Sequence, residues 1–449
     1  MAKARKQPSR LKEVLSALDE SRADELRTLL TGLHPADIAG LLESIPPHQR
    51  HPIWELIEPN KMGEILLEVS EGVRADLLQE MSAEKLVAAA RTLDIDDIAD
   101  LIPDLPDEVI AEILFAMDKQ DRQRLDTVLS YPQDTAGGLM NLDTVTVREN
   151  LTVEVVLRYL RRRGELPEHT NNLFVVDRED RLIGSLSLSK LLTADGHQRI
   201  SQLMLRDPVK FTAYTPAGEV AGAFERYNLV TAPVVDETGK LIGRITVDDV
   251  VDVIREQADH TVMARAGLSE EEDIFAPVAR SIKNRALWMG INLLTAFLAS
   301  WVIGVFEQTI QQIVALAVLM PIVASMGGNA GTQTSTIVIR GIALGQISGI
   351  NAFRVLIKEL SVGFLNGLIW AVVVGTVAFF AYGTYLLGII IGAAMIINLL
   401  AAALAGVLLP LLLRRFGTDP ALTTTVALTT VTDVVGFFSF LGLATLFLL

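Results

Sequence analysis

Five apolar stretches crowd the last 164 residues of the chain, and they constrain its fold more than any other feature. They run over Ala286–Phe306, Gln311–Leu344, Ser361–Gly383, Leu386–Leu413 and Ala421–Leu449. Each is long enough to cross about 30 Å of hydrocarbon. Lipid cannot satisfy backbone polar groups, so such segments are expected as helices. The charges between them set a direction. Arg280, Lys283 and Arg285 precede the first stretch, Arg354 and Lys358 the third, and Arg414 and Arg415 follow the fourth. The opposite loops offer Glu307 and the uncharged Tyr382–Tyr385. The positive-inside rule then predicts a cytoplasmic N-terminus and an outside C-terminus, in the cell (plasma) membrane.

Membrane helices cannot be the whole chain, because 21% of its 449 residues are charged even though mean hydropathy is +0.38. From Ala286 onward there are five basic and four acidic residues; removing these from 39 and 54 leaves 34 and 50 in residues 1–285, a net charge of −16. An acidic soluble half precedes a nearly neutral membrane half. Acidity argues against nucleic acid, which needs a basic footprint, and favours cations. The absence of cysteine excludes disulfides, thiolate metal sites and cysteine nucleophiles. The basic opening MAKARKQPSR precedes no apolar run, so it is not expected to be a secretory signal, and the soluble half is expected in the cytoplasm.

Two spans carry polar chemistry. Asp433 lies twelve residues beyond Ala421, roughly 18 Å along a helix and near the bilayer midplane. Thr425 and Thr429 share its face, with Thr430 adjacent. A carboxylate at that depth needs water, a partner or a cation; the competing reading is a protonated Asp in a structural hydrogen bond. In the second span Pro321 is followed by Gly327-Gly328-Asn329-Ala330-Gly331-Thr332-Gln333. That composition predicts a loosened or broken helix lining an ion path, with Asn329 and Gln333 on one face. Glycines that serve close packing alone are the alternative.

The soluble half contains repeats. Val175-Val176-Asp177 with Leu182-Ile183-Gly184 returns 59 residues later as Val234-Val235-Asp236 with Leu241-Ile242-Gly243. Each unit predicts strand, acidic turn, strand and helix, and resembles a module of the cystathionine-β-synthase (CBS) type. Asp236-Glu237-Thr238-Gly239-Lys240 is similar to a phosphorylated pump motif, but Asp177-Arg178-Glu179-Asp180 in the first copy marks it as a turn. Nucleotide-binding CBS modules carry Gly-x-x-Thr/Ser-x-x-Asp. Gly243, Thr246 and Asp249 fit, whereas Gly184 and Ser187 are followed by Lys190. The pattern allows an adenine nucleotide in the second copy and argues against one in the first.

Residues 11–130 alternate amphipathic helical patterns with turns, and Leu33, Asp37-Ile38-Ala39, Leu41 and Pro46 return 60 residues later as Leu93, Asp97-Ile98-Ala99, Leu101 and Pro106. An α-solenoid is expected. It carries an anionic run that includes Asp94, Asp96, Asp97 and Asp100. After the modules, Asp249, Asp252, Glu256 and Asp259 fall on one face of a connecting helix, where like charges repel. A cation between this face and another acidic surface would relieve that repulsion. Oxygen donors suit Mg²⁺ or Ca²⁺. A solvated face is the plainer reading of either run.

The expected class is therefore a multi-domain membrane protein. An acidic all-α domain (1–131) is followed by CBS modules (132–200 and 201–255), a connecting or plug helix (248–280) and a five-helix transmembrane domain (281–449). This order resembles the MgtE family of magnesium channels over essentially the whole chain. The most specific marks are the Gly327–Gln333 segment and Asp419-Pro420-Ala421 ahead of Asp433. The resemblance implies no enzyme but a homodimer passing Mg²⁺ between two membrane bundles. It implies a pore set of Asp433, Asn329, Thr429, Thr425 and Asp419. It also implies that cytoplasmic Mg²⁺ bound by the acidic domains holds the channel closed through the plug helix, and the charge spacing puts that binding at Asp249, Asp252, Glu256 and Asp259, bridged to Asp94, Asp96 and Asp97. This chain departs from the family's usual pattern at Val426, Thr432, Asn228, Gln257 and His260. A transporter of Mn²⁺, Co²⁺ or Ni²⁺, a secondary antiporter, and a membrane-anchored sensor are the rival readings.

Overall fold

The computed structural model describes residues 7–19, 22–167, 169–268, 273–343, 345–347, 351–416 and 420–449. They divide into two units: 1–258 with 271–276, and 259–270 with 277–449.

The first unit begins with ten helices: α1 (Gln7–Asp19), α2 (Ala23–Thr31), α3 (Pro35–Glu43), α4 (Pro47–Trp54), α5 (Pro59–Glu68), α6 (Glu71–Gln79), α7 (Ala83–Ala90), α8 (Ile95–Leu101), α9 (Asp107–Ala116) and α10 (Lys119–Leu129). Their shortness is written in the sequence. Pro stands at the first turn of α3, α4 and α5, where its missing N–H costs nothing, and each helix ends within about three turns. The 60-residue repeat is visible in burial, with Ile38, Ala39 and Leu41 of α3 and Ile98, Ala99 and Leu101 of α8 all inside one core.

Two small sheets follow. In the first, β1 (Thr146–Arg148) runs parallel to β2 (Asn172–Val176), which pairs antiparallel with β3 (Leu182–Ser187), and β3 with β4 (Leu205–Arg206). Helices α11 (Val153–Arg163), α12 (Leu188–Thr193) and α13 (Ile200–Leu203) accompany it. The second repeats the plan with β5 (Phe211–Thr212), α14 (Ala217–Tyr227), β6 (Thr231–Val235) and β7 (Leu241–Thr246). Both copies carry a register shift at the residue pair before the acidic turn, Val175/Val176 and Val234/Val235. The turns are alike in chemistry. The Asp177 carboxylate accepts from the backbone N–H of Glu179 (3.0 Å) and Arg181 (2.8 Å). That of Asp236 accepts from Thr238 (2.8 Å) and Lys240 (2.9 Å). The pump-like motif is a hairpin turn. Asn228 ends α14 in the left-handed region at φ 50°, a conformation that Asn adopts more readily than most residues.

The connecting helix α15 spans Val247–Arg265. It is shorter than the expected 248–280: it ends at Arg265, Gly267 follows at φ 69°, and α16 (Val278–Val305) begins after Pro277. Then come α17 (Glu307–Gln312), α18 (Ala315–Ala343), α19 (Ala352–Tyr382), α20 (Tyr385–Arg415) and α21 (Pro420–Leu448). All but the short α17 are long and apolar enough to cross a membrane. The predicted break in the second span does not occur. Helix α18 runs without interruption through Pro321 and the glycines. Its glycines serve contact instead: a Cβ on Gly327 would lie 2.2 Å from the Asn398 amide nitrogen, and one on Gly331 would lie 2.8 Å from Leu428. Close helix approach absorbed the small residues.

Candidate functional site

In the membrane unit the residues singled out by sequence converge on α18 and α21. These helices are locked at two heights. Gly327 of α18 and Gly436 of α21 both meet the Asn398 side chain, while Gly331 meets Leu428. Asn329 lies between the first pair of markers and Asp433 between the second, so the two share a level. Ser325, Asn329, Thr332 and Gln333 are exposed along one side of α18, opposite the buried Gly327, Gly331 and Thr334. Thr425, Thr429 and Asp433 of α21 are half-buried. The Thr429 hydroxyl donates to the carbonyls of Thr425 and Val426, both at 3.0 Å. Its proton is committed to the helix, so toward any ligand its oxygen can act only as an acceptor. Asp419 lies outside the described residues.

Sequence reading missed Asn398. It is fully buried at the middle of α20, the only polar side chain between Tyr385 and Arg414. That isolation was the available signal.

In the soluble unit the structure brings the acidic run of α8 within electrostatic reach of the carboxyls of α15. Asp96 and Asp97 sense Asp249, and Asp100 senses both Asp252 and Glu256. Asn141, in the loop entering the first CBS module, bridges the two parts. Its amide donates to Asp96 (3.2 Å) and Asp94 (3.4 Å), and its backbone exchanges hydrogen bonds with Arg244 of β7. Desolvation combined with neighbouring charge pushes these carboxyls far up. Desolvation, with Asp94 adding to it, raises Asp96 to about 6. Desolvation followed by Asp96, Asp94 and Asp249 raises Asp97 to about 8. Asp100 reaches about 7 by desolvation and Asp96, with Arg74 opposing. Asp249 reaches about 7 by desolvation, Asp248 and Asp96. Desolvation also raises Asp252, against Arg255. Asp100 is outside the regulatory set that the sequence suggests; only the nearness of α8 to the Asp252 and Glu256 charges of α15 reveals it. Asp259 continues the α15 face in the second unit.

No three acids or histidines among the described residues are arranged to grip one ion directly. Asp249 has a second task. Its carboxylate accepts from the Thr246 hydroxyl (2.8 Å) and backbone N–H (3.3 Å), the carboxylate half of a capping box at the start of α15. Two of the three residues of the nucleotide pattern, Thr246 and Asp249, are thus bonded to each other.

Residues 320–443 match the family model of MgtE, a divalent cation transporter. Residues 33–134 match that of the MgtE intracellular N domain, and 136–197 and 200–256 match the CBS domain. A magnesium transporter MgtE from Thermus thermophilus is 34% identical over 439 residues, covering 96% of this chain and 97% of the relative. The chain belongs to the MgtE family of magnesium transporters. Another MgtE, from Bacillus subtilis, is 26% identical over 437 residues and covers 97% of this chain. A solved cytosolic domain of the Mg²⁺ channel MgtE in complex with ATP is 34% identical, covers 54% of this chain and 99% of that one, and superposes with a TM-score of 0.49. As an MgtE protein the chain is a transporter rather than an enzyme. It pairs a soluble N-terminal part and a CBS pair with five membrane helices, and Mg²⁺ is the ion it carries.

Proposed function

We propose that this transporter is a passive, Mg²⁺-selective influx channel of the cell membrane, closed by cytoplasmic Mg²⁺. The observation that carries the reading is the polar stripe of Ser325, Asn329, Thr332 and Gln333, exposed on one side of a membrane helix at the level of Asp433. Polar side chains do not face lipid at that depth; they face water or another chain. A C2 homodimer pairs two such stripes and two carboxylates around one axis. Asp433, Asn329, Thr429, Thr425 and Asp419 then act on Mg²⁺ through its retained water, since this ion dehydrates reluctantly and is well served by carboxylate, hydroxyl and carbonyl acceptors. The inside-negative potential drives entry by roughly 2.3 kcal/mol per charge per 100 mV, doubled for a divalent ion. In this orientation 1–131, 132–200 and 201–255 are cytoplasmic, and the C-terminus lies outside.

The regulatory part rests on crowded like charge. Asp94, Asp96, Asp97, Asp100, Asp249, Asp252 and Glu256 hold carboxylates that repel at neutral pH, and this fits a hydrated cation bridging α8 and α15. Asp259 extends the same face. Mg²⁺ then stabilises the compact arrangement, and α15 transmits closure as a plug. An adenine nucleotide at Gly243, Thr246 and Asp249 would compete with the capping box for Asp249, and so with Mg²⁺.

The test is Mg²⁺ entry into liposomes holding the full protein and an Mg²⁺ indicator, together with single-channel recording. Asp433→Ala should abolish uptake and Asp433→Asn most of it, with the dimer intact by cross-linking. Undiminished uptake in both removes Asp433 from the path. Flux coupled to a counter-ion identifies an antiporter instead.

A further inference from the structure

Asn398 is an expensive residue in its place. It sits thirteen residues into α20 with none of its surface exposed, at a depth where Leu would be the ordinary occupant. Its amide nitrogen donates to the carbonyl of Val323 on α18 at 2.8 Å. Its amide oxygen is buried with no hydrogen-bond partner among the described residues. The orientation is fixed, because only a donor can face the Val323 carbonyl. A buried acceptor left unmet calls for an explanation in function.

The surroundings supply one. The amide nitrogen lies 2.2 Å from where a Gly327 Cβ would stand and 2.8 Å from where a Gly436 Cβ would stand. Any side chain at either glycine would collide with it. Gly327 precedes Asn329 by two residues on α18, and Gly436 follows Asp433 by three on α21. One side chain on a third helix therefore touches the backbone of both polar segments and hydrogen-bonds one of them.

We infer that Asn398 is a positioning residue for ion selection. It spaces the Asn329 segment of α18 from the Asp433 segment of α21 without itself facing the ion. The inference rests on Asp433 lining the path. It uses the amide's thinness and its donor together: a planar group fits against two glycines, and the bond to Val323 stops α18 from sliding or turning.

The experiment uses the full protein in liposomes, with Mg²⁺ uptake measured alone and against Ca²⁺, beside thermal unfolding in detergent. Asn398→Leu keeps the size and removes the unmet acceptor, while its branched tip is thicker than the amide against Gly327 and Gly436, so its unfolding temperature should stay close to that of the wild type. Its apparent KM for Mg²⁺, or its preference for Mg²⁺ over Ca²⁺, should worsen about 10-fold or more, the range seen when a group orienting a metal ligand is removed. A merely structural residue would move stability and leave KM and preference alone. If Asn398→Leu does not fold, the pair Gly327→Ala with Asn398→Ala carries the test, since the new methyl fills the space the amide leaves while the bond to Val323 stays lost; the same worsening is expected. Wild-type KM and preference in the folded variant, beside an inactive Asp433→Asn, overturns the inference alone. Full activity of Asp433→Asn overturns the pore assignment on which it stands.

Discussion

Replacing Arg50 should loosen a segment more than two hundred residues away in sequence. Arg50 lies in α4 with only 2% of its side chain exposed, and Asp273 with 3%. The guanidinium donates to both carboxylate oxygens of Asp273, at 2.7 and 3.0 Å, and its Nε donates to the Leu42 carbonyl at 2.8 Å. Asp76 stands at 3.9 Å. Arg50→Met keeps much of the packing but takes the bidentate guanidinium from a buried carboxylate, and breaking such a pair from one side costs about 3–5 kcal/mol. Asp273 also organises its own turn: its side chain accepts from the Phe275 N–H at 2.9 Å, and its carbonyl from the Ala276 N–H at 3.0 Å. Hydrogen exchange at those two amides is therefore the assay. At about 1.4 kcal/mol per decade, exchange by local opening should accelerate by two to four decades. Arg50→Met with Asp273→Leu should recover most of the protection at Ala276, whose acceptor is a backbone carbonyl, because an apolar pair of similar volume replaces a buried ion pair well, but not at Phe275, whose acceptor is the Asp273 side chain. Unchanged exchange in Arg50→Met would refute the claim that this pair holds the segment.

Other expectations concern charge and packing. The carboxyls at about 6, 8, 7 and 7 are raised from 3.8 in the packed acidic site. The packed form therefore takes up protons as it forms, and its stability falls as pH rises from about 4 through about 8. Without Mg²⁺, the soluble half should be more protease-resistant at pH 5.5 than at pH 8, and added Mg²⁺ should erase the difference; a flat profile contradicts the assignment. Neutralising Asp249, Asp252, Glu256 and Asp259 together should blunt closure by Mg²⁺, read as persistent uptake at high internal Mg²⁺. In the membrane unit Gly375 and Gly388 touch backbone to backbone, with a Cβ on either lying 2.7 or 2.5 Å from the other's carbonyl oxygen. Gly388→Ala should push α19 off α20 and destabilise the bundle by about 1–3 kcal/mol, seen as a lower unfolding temperature in detergent.

What the sequence determined by itself was whatever repeats locally or depends on composition. Apolar length marks the membrane helices because lipid leaves the backbone no other choice. The 59-residue repeat with its Asp turns marks the CBS pair because an Asx turn is built from neighbours in the chain. Asp433 stood out because charge is rare at that depth. Tertiary structure decided the rest. The glycines after Pro321 predicted a break, yet α18 continues, because Asn398 and Leu428 from other helices occupy the space those glycines leave. Asp100 joined the acidic site only when α8 came near the charges of α15, and the raised pKa values arise from desolvation that no single helix could produce. Arg50 and Asp273 are unremarkable in sequence, and their pairing spans 223 positions. Local patterns set which elements form; which side chains lose water, and against whom, depends on contacts between residues far apart in the chain.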